Sequence, residues 1–120
     1  MTNEQRAALL ALAERCEDAR GPDREIDIRI CTDALNKSRL DEGFQVAPTF
    51  TASVDAALTL VPEGWNDNVS WSAKKQKARA WCEWMPEAPF APSDWIVHYG
   101  RGANRALAIC AAALRARASA

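Results

Sequence analysis

The stretch with the clearest chemical potential is Arg101-Gly102-Ala103-Asn104-Arg105, which directly precedes an alanine-rich segment. We predict that Asn104 opens a helix, whose free N–H groups would point toward a nearby anion. Gly102 lets the backbone approach that anion, while Arg101 and Arg105 offer charge-assisted hydrogen bonds. Arg105 in a first turn is unfavourable for the helix dipole unless something negative lies nearby. The pattern predicts the phosphate end of a ligand site; the alternative is that both arginines are simply solvated.

Five tryptophans in 120 residues are available to stack on an aromatic ligand or to anchor a protein partner. Trp71 and Trp84 lie in segments that we predict to be strands. We expect these two rings to provide the stacking surface of the ligand site. The alternative for most of the tryptophans is burial in the core.

The sequence lacks the usual residues of catalysis and metal binding. His98 is the single histidine, which excludes a histidine cluster, and no nucleophile elbow lies near it. We expect it to be solvated, on the strand face opposite Trp95, Val97 and Tyr99. The four cysteines form no CxxC or CxxH pair and are expected to be buried, reduced thiols. We therefore expect no enzyme activity, no metal and no cofactor.

The charge balance and the hydropathy exclude further classes of partner. Lys and Arg number 15 against 16 Asp and Glu, so bulk positive charge for indiscriminate nucleic-acid binding is missing. The second half is nevertheless basic, because residues 61 to 120 hold 8 Lys and Arg against 5 Asp and Glu. No apolar run approaches the roughly 18 residues that span a bilayer, and acidic residues interrupt the first apolar stretch. We expect a cytoplasmic protein with no membrane partner.

Periodicity and capping signals predict four helices. Thr2 and Gln5 form a capping box, Gly21-Pro22 ends the first helix, and Ser53 caps a short one. The alternating isoleucines after Pro22 also fit a strand, but the acidic first turn favours a helix. The predicted helices cover residues 3 to 20, 22 to 36, 54 to 61 and 104 to 118, with a loop at 37 to 49.

Apolar and aromatic residues at every second position predict three strands, at residues 65 to 72, 78 to 85 and 94 to 99. Lysines between the first two indicate a solvated hairpin tip. The fold class is therefore α+β: residues 1 to 120 form a single domain with a small, mainly antiparallel sheet of three to four strands covered by helices. Such a sheet leaves an edge or a face on which a second copy can pair, as in a homodimer.

Three segments carry a resemblance to a known family: GPDREIDIRI at 21 to 30, FTASVDAALTLVPEGW at 50 to 65, and ALAICAAALRARA at 106 to 118. Together they resemble the phage ABA sandwich domain, in which the second segment commonly reads aromatic-Thr-x-Ser-x-Asp-Ala-Ala followed by Val-Pro-Glu-Gly. Phe50 stands where a tyrosine is frequent, and the basic, tryptophan-rich hairpin departs from the pattern. The resemblance implies a small antiparallel sheet covered by helices and a phage or prophage origin. It implies no particular activity.

The combined expectation is a non-catalytic phage accessory protein that counteracts host defence in the bacterial cytoplasm by binding. One version sequesters a small anionic nucleotide signal, with site residues Arg101, Gly102, Asn104, Arg105, Trp71 and Trp84. A second version binds a host defence protein, such as a CRISPR component, through a surface patch. A third is a virion or packaging accessory, and the sequence leaves the three open.

Overall fold

The secondary structure is known for residues 1–35, 47–85 and 95–119, which the computed structural model describes. Within these residues the chain forms four helices and three strands: α1 (Asn3–Asp18), α2 (Arg24–Asp33), α3 (Val54–Leu58), β1 (Asn66–Ser72), β2 (Lys77–Trp84), β3 (Ile96–Gly102) and α4 (Arg105–Ser119). The strands pair antiparallel in the order β1-β2-β3. The predicted α+β single domain is confirmed.

Side-chain caps fix where the helices begin. Thr2 and Gln5 exchange the two hydrogen bonds of the predicted capping box, at 3.1 and 2.8 Å. The Ser53 hydroxyl accepts from the Ala56 N–H at 3.2 Å, as predicted for α3. α2 begins at Arg24 rather than at 22, because the Asp23 carboxylate lies at the N-cap and accepts two backbone N–H groups.

Several predicted ends were wrong by a few residues. α1 ends at Asp18 rather than 20 because Ala19 is already extended. α2 stops at Asp33, and α3 stops at Leu58 because the chain then turns. Of the predicted loop at 37 to 49, only 47 to 49 are described; positions 36 and 94, predicted to be helix and strand ends, also lie outside the described residues.

The largest difference concerns β3, which extends to Gly102 instead of ending at 99. Arg101 pairs with Arg79, and Gly102 pairs with Ala78, so both residues belong to the sheet rather than to a loop before α4. The sequence signal failed here because glycines at 100 and 102 interrupt the apolar alternation. Their missing side chains are what the packing requires.

α4 packs against β3 so closely that two glycines of the strand leave no room for a side chain. A Cβ on Gly100 would lie 2.4 Å from the Ala108 carbonyl oxygen and 2.4 Å from the Ala112 nitrogen. A Cβ on Gly102 would lie 2.7 Å from the Ala108 nitrogen. Real Cβ atoms do not approach backbone atoms at these distances, so glycine is the residue that permits this contact.

Burial in α4 extends all around the helix. The predicted stripe of Leu107, Cys110 and Leu114 is buried, as expected, but so is every residue from Ala106 to Leu114. The sheet covers one side of α4, and α1 and α3 pack against it as well. Small alanine side chains make this possible, because they let neighbouring elements approach from several directions.

A buried carboxylate ties α2 to the segment that leads into α3. Asp27 is 1% exposed, and its Oδ1 accepts from both the backbone N–H and the hydroxyl of Thr51, at 2.8 and 2.9 Å. Arg24 donates to the other oxygen at 2.9 Å. The Thr51 carbonyl in turn accepts from the Asn104 amide at 3.1 Å. The chain of contacts thus reaches the start of α4.

Replacing Gly100 by alanine tests the close packing of α4 on β3. We expect Gly100→Ala to lower the free energy of unfolding by about 3 kcal/mol, because two backbone atoms of α4 must move away. Gly21→Ala is the matched control, since an added Cβ there meets no atom within 4 Å. Urea denaturation of the two variants measures the difference. Equal stabilities would show that α4 does not approach β3 at this distance.

Candidate functional site

One face of the sheet carries Ala78, Ala80 and Cys82 and packs against α4. Two rows of side chains cross the opposite face. The strand register aligns Asn68, Trp81 and Tyr99 in one row, which we call the aromatic row. It aligns Ser70, Arg79 and Arg101 in the next, which we call the basic row. The rows lie about 6.6 Å apart, since each strand residue rises about 3.3 Å. None of the described helices covers this face, which we call the open face.

Aromatic rings at the open face are accessible to a ligand. Tyr99 is 59% exposed and Trp95 is 46% exposed, while Trp81 between the strands is half-buried. With Glu83 and Val97 they line a cleft of about 460 Å³. Planar rings in such a shallow cleft can stack on a base or another aromatic group without requiring a particular hydrogen-bond pattern.

The basic row places two guanidinium groups directly opposite each other. Arg79 and Arg101 are both exposed, and among the described residues neither forms an ion pair with an acidic side chain. Like charges directly opposite across strands destabilise a sheet by roughly 0.2–1 kcal/mol. Arg79 and Arg101 line a cleft of about 410 Å³ together with Lys75 and Lys77. Arg79 also lines the cleft that holds the aromatic rings. An anion between the arginines would relieve the repulsion.

An ion pair between two helices holds β3 in position. Arg115 of α4 donates two 2.8 Å hydrogen bonds to the two oxygens of Glu17 in α1, and a third to the Tyr99 carbonyl. The Arg101 N–H donates to the same carboxylate at 3.0 Å. The backbone on both sides of Gly100 is therefore fixed, which orients the side chains of Tyr99 and Arg101 before any ligand arrives.

The ion pair shifts the pKa values of both Glu17 and Arg115. The hydrogen bonds from Arg115 lower the pKa of Glu17 against the opposing effect of burial, and the Arg101 N–H adds to the lowering. The Glu17 carboxylate correspondingly raises the pKa of Arg115. Both groups therefore remain charged at neutral pH.

The structure brings some of the predicted site residues together and separates others. Trp71 and Arg105 do meet, with the guanidinium carbon 6.0 Å from the ring centroid, which is a cation–π contact. Trp71 pairs with the buried Ala78, so it and Arg105 lie toward the helix-covered side, whereas Arg101 lies on the open face. Trp84 is six residues, or about 20 Å, along β2 from Ala78. Arg101 and Arg105 therefore lie on different sides of the sheet, although Trp71 lines one cleft with Arg79 and Arg101. Their convergence on one anion stays a prediction.

Gly102 and Asn104 both have structural roles in the fold, and their predicted ligand contacts stay a prediction. Gly102 is buried, and its missing side chain makes room for Leu107 and Ala108. Asn104 caps α4, as predicted, because its Oδ1 accepts from the Leu107 N–H at 2.7 Å. Its amide nitrogen is bound to the Thr51 carbonyl, so both ends of this side chain already have partners.

Sequence reasoning missed Trp81, Arg79 and Tyr99 as site residues. A usable signal existed, because Trp81 and Arg79 are out of phase with the alternating Ala78, Ala80 and Cys82 of the same strand. The alternative of burial in the core is met only in part, since Trp65 packs against the core but is half-buried. None of the five rings is fully buried: Trp71 and Trp95 are exposed, and the other three are half-buried.

His98 and the cysteines lie in buried or half-buried surroundings that disfavour their charged forms. His98 lies on the predicted face but is half-buried rather than solvated, with its ring centroid 5.9 Å from that of Trp65. Burial, with a smaller effect of Arg115, lowers its pKa, so the ring is neutral at pH 7. All four cysteines are buried thiols that form no disulfide, as expected. Burial raises the pKa of Cys82 to about 12. The hydrogen bond with Cys16, together with burial, raises the pKa of Cys110, so the reactive thiolate is disfavoured at both residues.

Within residues 1–35, 47–85 and 95–119, no group of His, Cys, Asp and Glu side chains is arranged to hold a metal ion. No helix in this part of the chain has the length and apolar character needed to cross a membrane. Comparison with protein-family models, curated proteins and solved structures finds no match. The resemblance to the phage ABA sandwich domain stays a prediction.

The pairing of Glu17 with Arg115 predicts a pH-dependent contribution to stability. Because the pKa of Glu17 is lower in the folded than in the unfolded chain, its stabilisation is full above its ordinary value of 4.5 and is lost as the pH falls through the folded value. We expect Glu17→Gln to cost about 2 kcal/mol at pH 7 and much less at pH 3.

Urea denaturation at both pH values measures this difference. Glu63→Gln, at an exposed turn residue, is the control and should change stability little at either pH. A cost for Glu17→Gln that is the same at pH 3 and pH 7 would contradict the assigned ion pair.

Proposed function

We propose that this protein binds a nucleotide, or a closely related anionic aromatic compound, on the open face and does not convert it. The observation that carries the proposal is the placement of the basic row directly beside the aromatic row on one accessible surface. A nucleotide has the same arrangement, a planar base linked to a phosphate at a distance of a few ångströms.

The base is proposed to stack on Tyr99, with Trp81 beside it. Tyr99 lies directly opposite Trp81, and its ring is largely exposed. Stacking of a base on an aromatic side chain contributes about 1–3 kcal/mol and tolerates any base. Glu83 in the same cleft offers an acceptor for an exocyclic amino group.

The phosphate is proposed to lie between Arg79 and Arg101. Both guanidinium groups are free of acidic partners in the described part of the chain, so neither must break an ion pair to bind. Two arginines offer bidentate donors that match phosphate oxygens, and Lys77 adds charge at the edge of the same cleft. A bound phosphate would also remove the repulsion between the two arginines.

The biological role that we propose follows from the expected phage or prophage origin. A small protein that binds a nucleotide without converting it can lower the free concentration of a host nucleotide signal. In the cytoplasm of a bacterial host this would counteract a defence system that depends on such a signal. The segment resemblance supports the origin, and the open face supports the binding.

Binding of a host defence protein is the second candidate function. Trp95 and Tyr99 are large rings that are 46% and 59% exposed and line one cleft. Tryptophan, tyrosine and arginine are the residues that most often dominate binding energy at protein interfaces. A protein partner would cover the rings without requiring a phosphate between Arg79 and Arg101.

Calorimetric titration with nucleosides, nucleoside monophosphates and cyclic di- and trinucleotides tests the proposal. We expect at least one phosphorylated compound to bind, and Arg79→Ala or Arg101→Ala to weaken it about ten-fold each. Tyr99→Ala should weaken binding about ten-fold as well, whereas Tyr99→Phe, which keeps the ring, should bind nearly as the parent.

Arg105→Ala is the matched control for the arginines, because it removes an exposed guanidinium on the other side of the sheet. A ligand that is weakened by Arg105→Ala but not by Arg79→Ala would place the site at Trp71 instead. Failure of every compound in the panel to bind would overturn nucleotide binding. In that case, loss of a host protein from pull-downs with Tyr99→Ala, relative to the parent, would favour the second candidate.

A further inference from the structure

We infer that two copies of this protein pair antiparallel through β1, centred on Val69, and so form one continuous six-stranded sheet. The partner is a second copy of this chain. The inference concerns the edge of the sheet and does not depend on the ligand proposed for its open face.

The two edges of the sheet differ in how well they are protected. β3 forms one edge, and there Arg115 and Glu17 already occupy the Tyr99 carbonyl and the Arg101 N–H. β1 forms the other edge, and no strand among the described residues 1–35, 47–85 and 95–119 pairs with its outer side. Its sequence contains no proline, lysine or arginine, which are the residues that commonly keep an edge strand from pairing. β1 is therefore the edge that can accept another strand.

The residue pattern of β1 is compatible with pairing to itself. Seven residues pair along their full length only when Val69 lies opposite Val69 of the second copy. In this register Asn68 lies opposite Ser70 of the second copy, so small polar side chains meet on the open face. Asp67, which is the single charged residue of β1, lies opposite Trp71 of the second copy and not opposite another carboxylate. No like charges meet.

The same register brings opposite charges together. Arg105 lies over Trp71, with its guanidinium carbon 6.0 Å from the ring centroid. Since Asp67 would lie opposite Trp71 of the second copy, it would also lie beside that copy's Arg105. Both side chains are exposed, and among the described residues neither has an ion-pair partner within its own chain. The two-fold symmetry would form this contact twice.

Apolar surface beside β1 would be covered by the same contact. Trp71 and Val54 are both 36% exposed, and with Ala52 and Arg105 they line a shallow cleft of about 310 Å³ next to the strand. In the paired form the second copy's β1 lies along this cleft. Backbone hydrogen bonds, two ion pairs and apolar cover therefore favour the same arrangement.

The symmetry has a consequence for the open face. An antiparallel pair of identical strands is related by a two-fold axis perpendicular to the sheet. The open faces of both copies consequently lie on the same side, with the aromatic and basic rows repeated across the axis. The dimer would present one broad surface with two equivalent sites.

Charge exchange at Asp67 and Arg105 tests the arrangement. Sedimentation equilibrium of the parent protein should show a monomer–dimer equilibrium. We expect Asp67→Arg and Arg105→Asp each to raise the dimer dissociation constant about ten-fold, because two attractions become two repulsions. The double variant should return the constant to near the parent value, because the exchanged charges attract again. Rescue of this kind cannot arise from a folding defect.

A second pair of substitutions tests the strand contact itself. Asn68→Lys with Ser70→Lys places four lysines around the two-fold axis at exposed positions and should yield a folded monomer. Leu10→Lys, at an exposed position of α1, is the control and should leave dimerisation unchanged. A parent that remains monomeric at all concentrations overturns the inference, and so does a dimer that the lysine pair leaves intact.

Discussion

The separation between α4 and β3 is the constraint on which the rest of this structure depends. Gly100 and Gly102 remove the side chains that would keep the helix away, and the backbone of Ala108 and Ala112 with the Ala111 methyl group fills the space at Gly100. α4 therefore lies close to the sheet. Its small alanine side chains leave room for α1 and α3 to cover its other sides. The hydrophobic core is consequently built around one alanine-rich helix, with little volume from large rings.

This arrangement also decides where the large residues go. The strand positions toward α4 must be small, as Ala78 and Ala80 are, so bulky side chains of β2 are placed at the alternate positions. Trp81 and Arg79 are therefore on the face that the described helices do not cover. A sheet face that needed only to contact water would be well served by threonine, serine or lysine. Exposed rings beside paired arginines are unfavourable for that purpose, which is why we propose a binding role for this face.

Parts of this structure could be predicted from sequence because they follow from local signals. Thr2, Ser53 and Asn104 are caps whose partners lie three residues away, and the apolar spacing of α1 and α4 indicates their buried faces without tertiary information. The candidate site could not be predicted in the same way. Whether Arg101 belongs to a loop or to β3 depends on the packing of Gly100 against a helix that follows later in the chain. A sequence window contains no information about that contact.

The misplaced arginine shows why charge near a helix start is an incomplete argument for an anion site. Arg105 lies in the first turn of α4, where the dipole disfavours it, yet the ring of Trp71 compensates through a cation–π contact. The Asn104 side-chain amide likewise donates a hydrogen bond to the Thr51 carbonyl. Through Thr51 it links the start of α4 to the buried Asp27. Both residues thus have structural explanations that do not involve a ligand. Arg79 and Arg101 face each other as like charges, and neither guanidinium group forms an ion pair in the described chain. The Glu17 carboxylate, which accepts the Arg101 N–H, offsets the charge of Arg101 only in part. An unfavourable contact with so little internal compensation is the stronger indication of a partner outside the chain, and it lies on the open face.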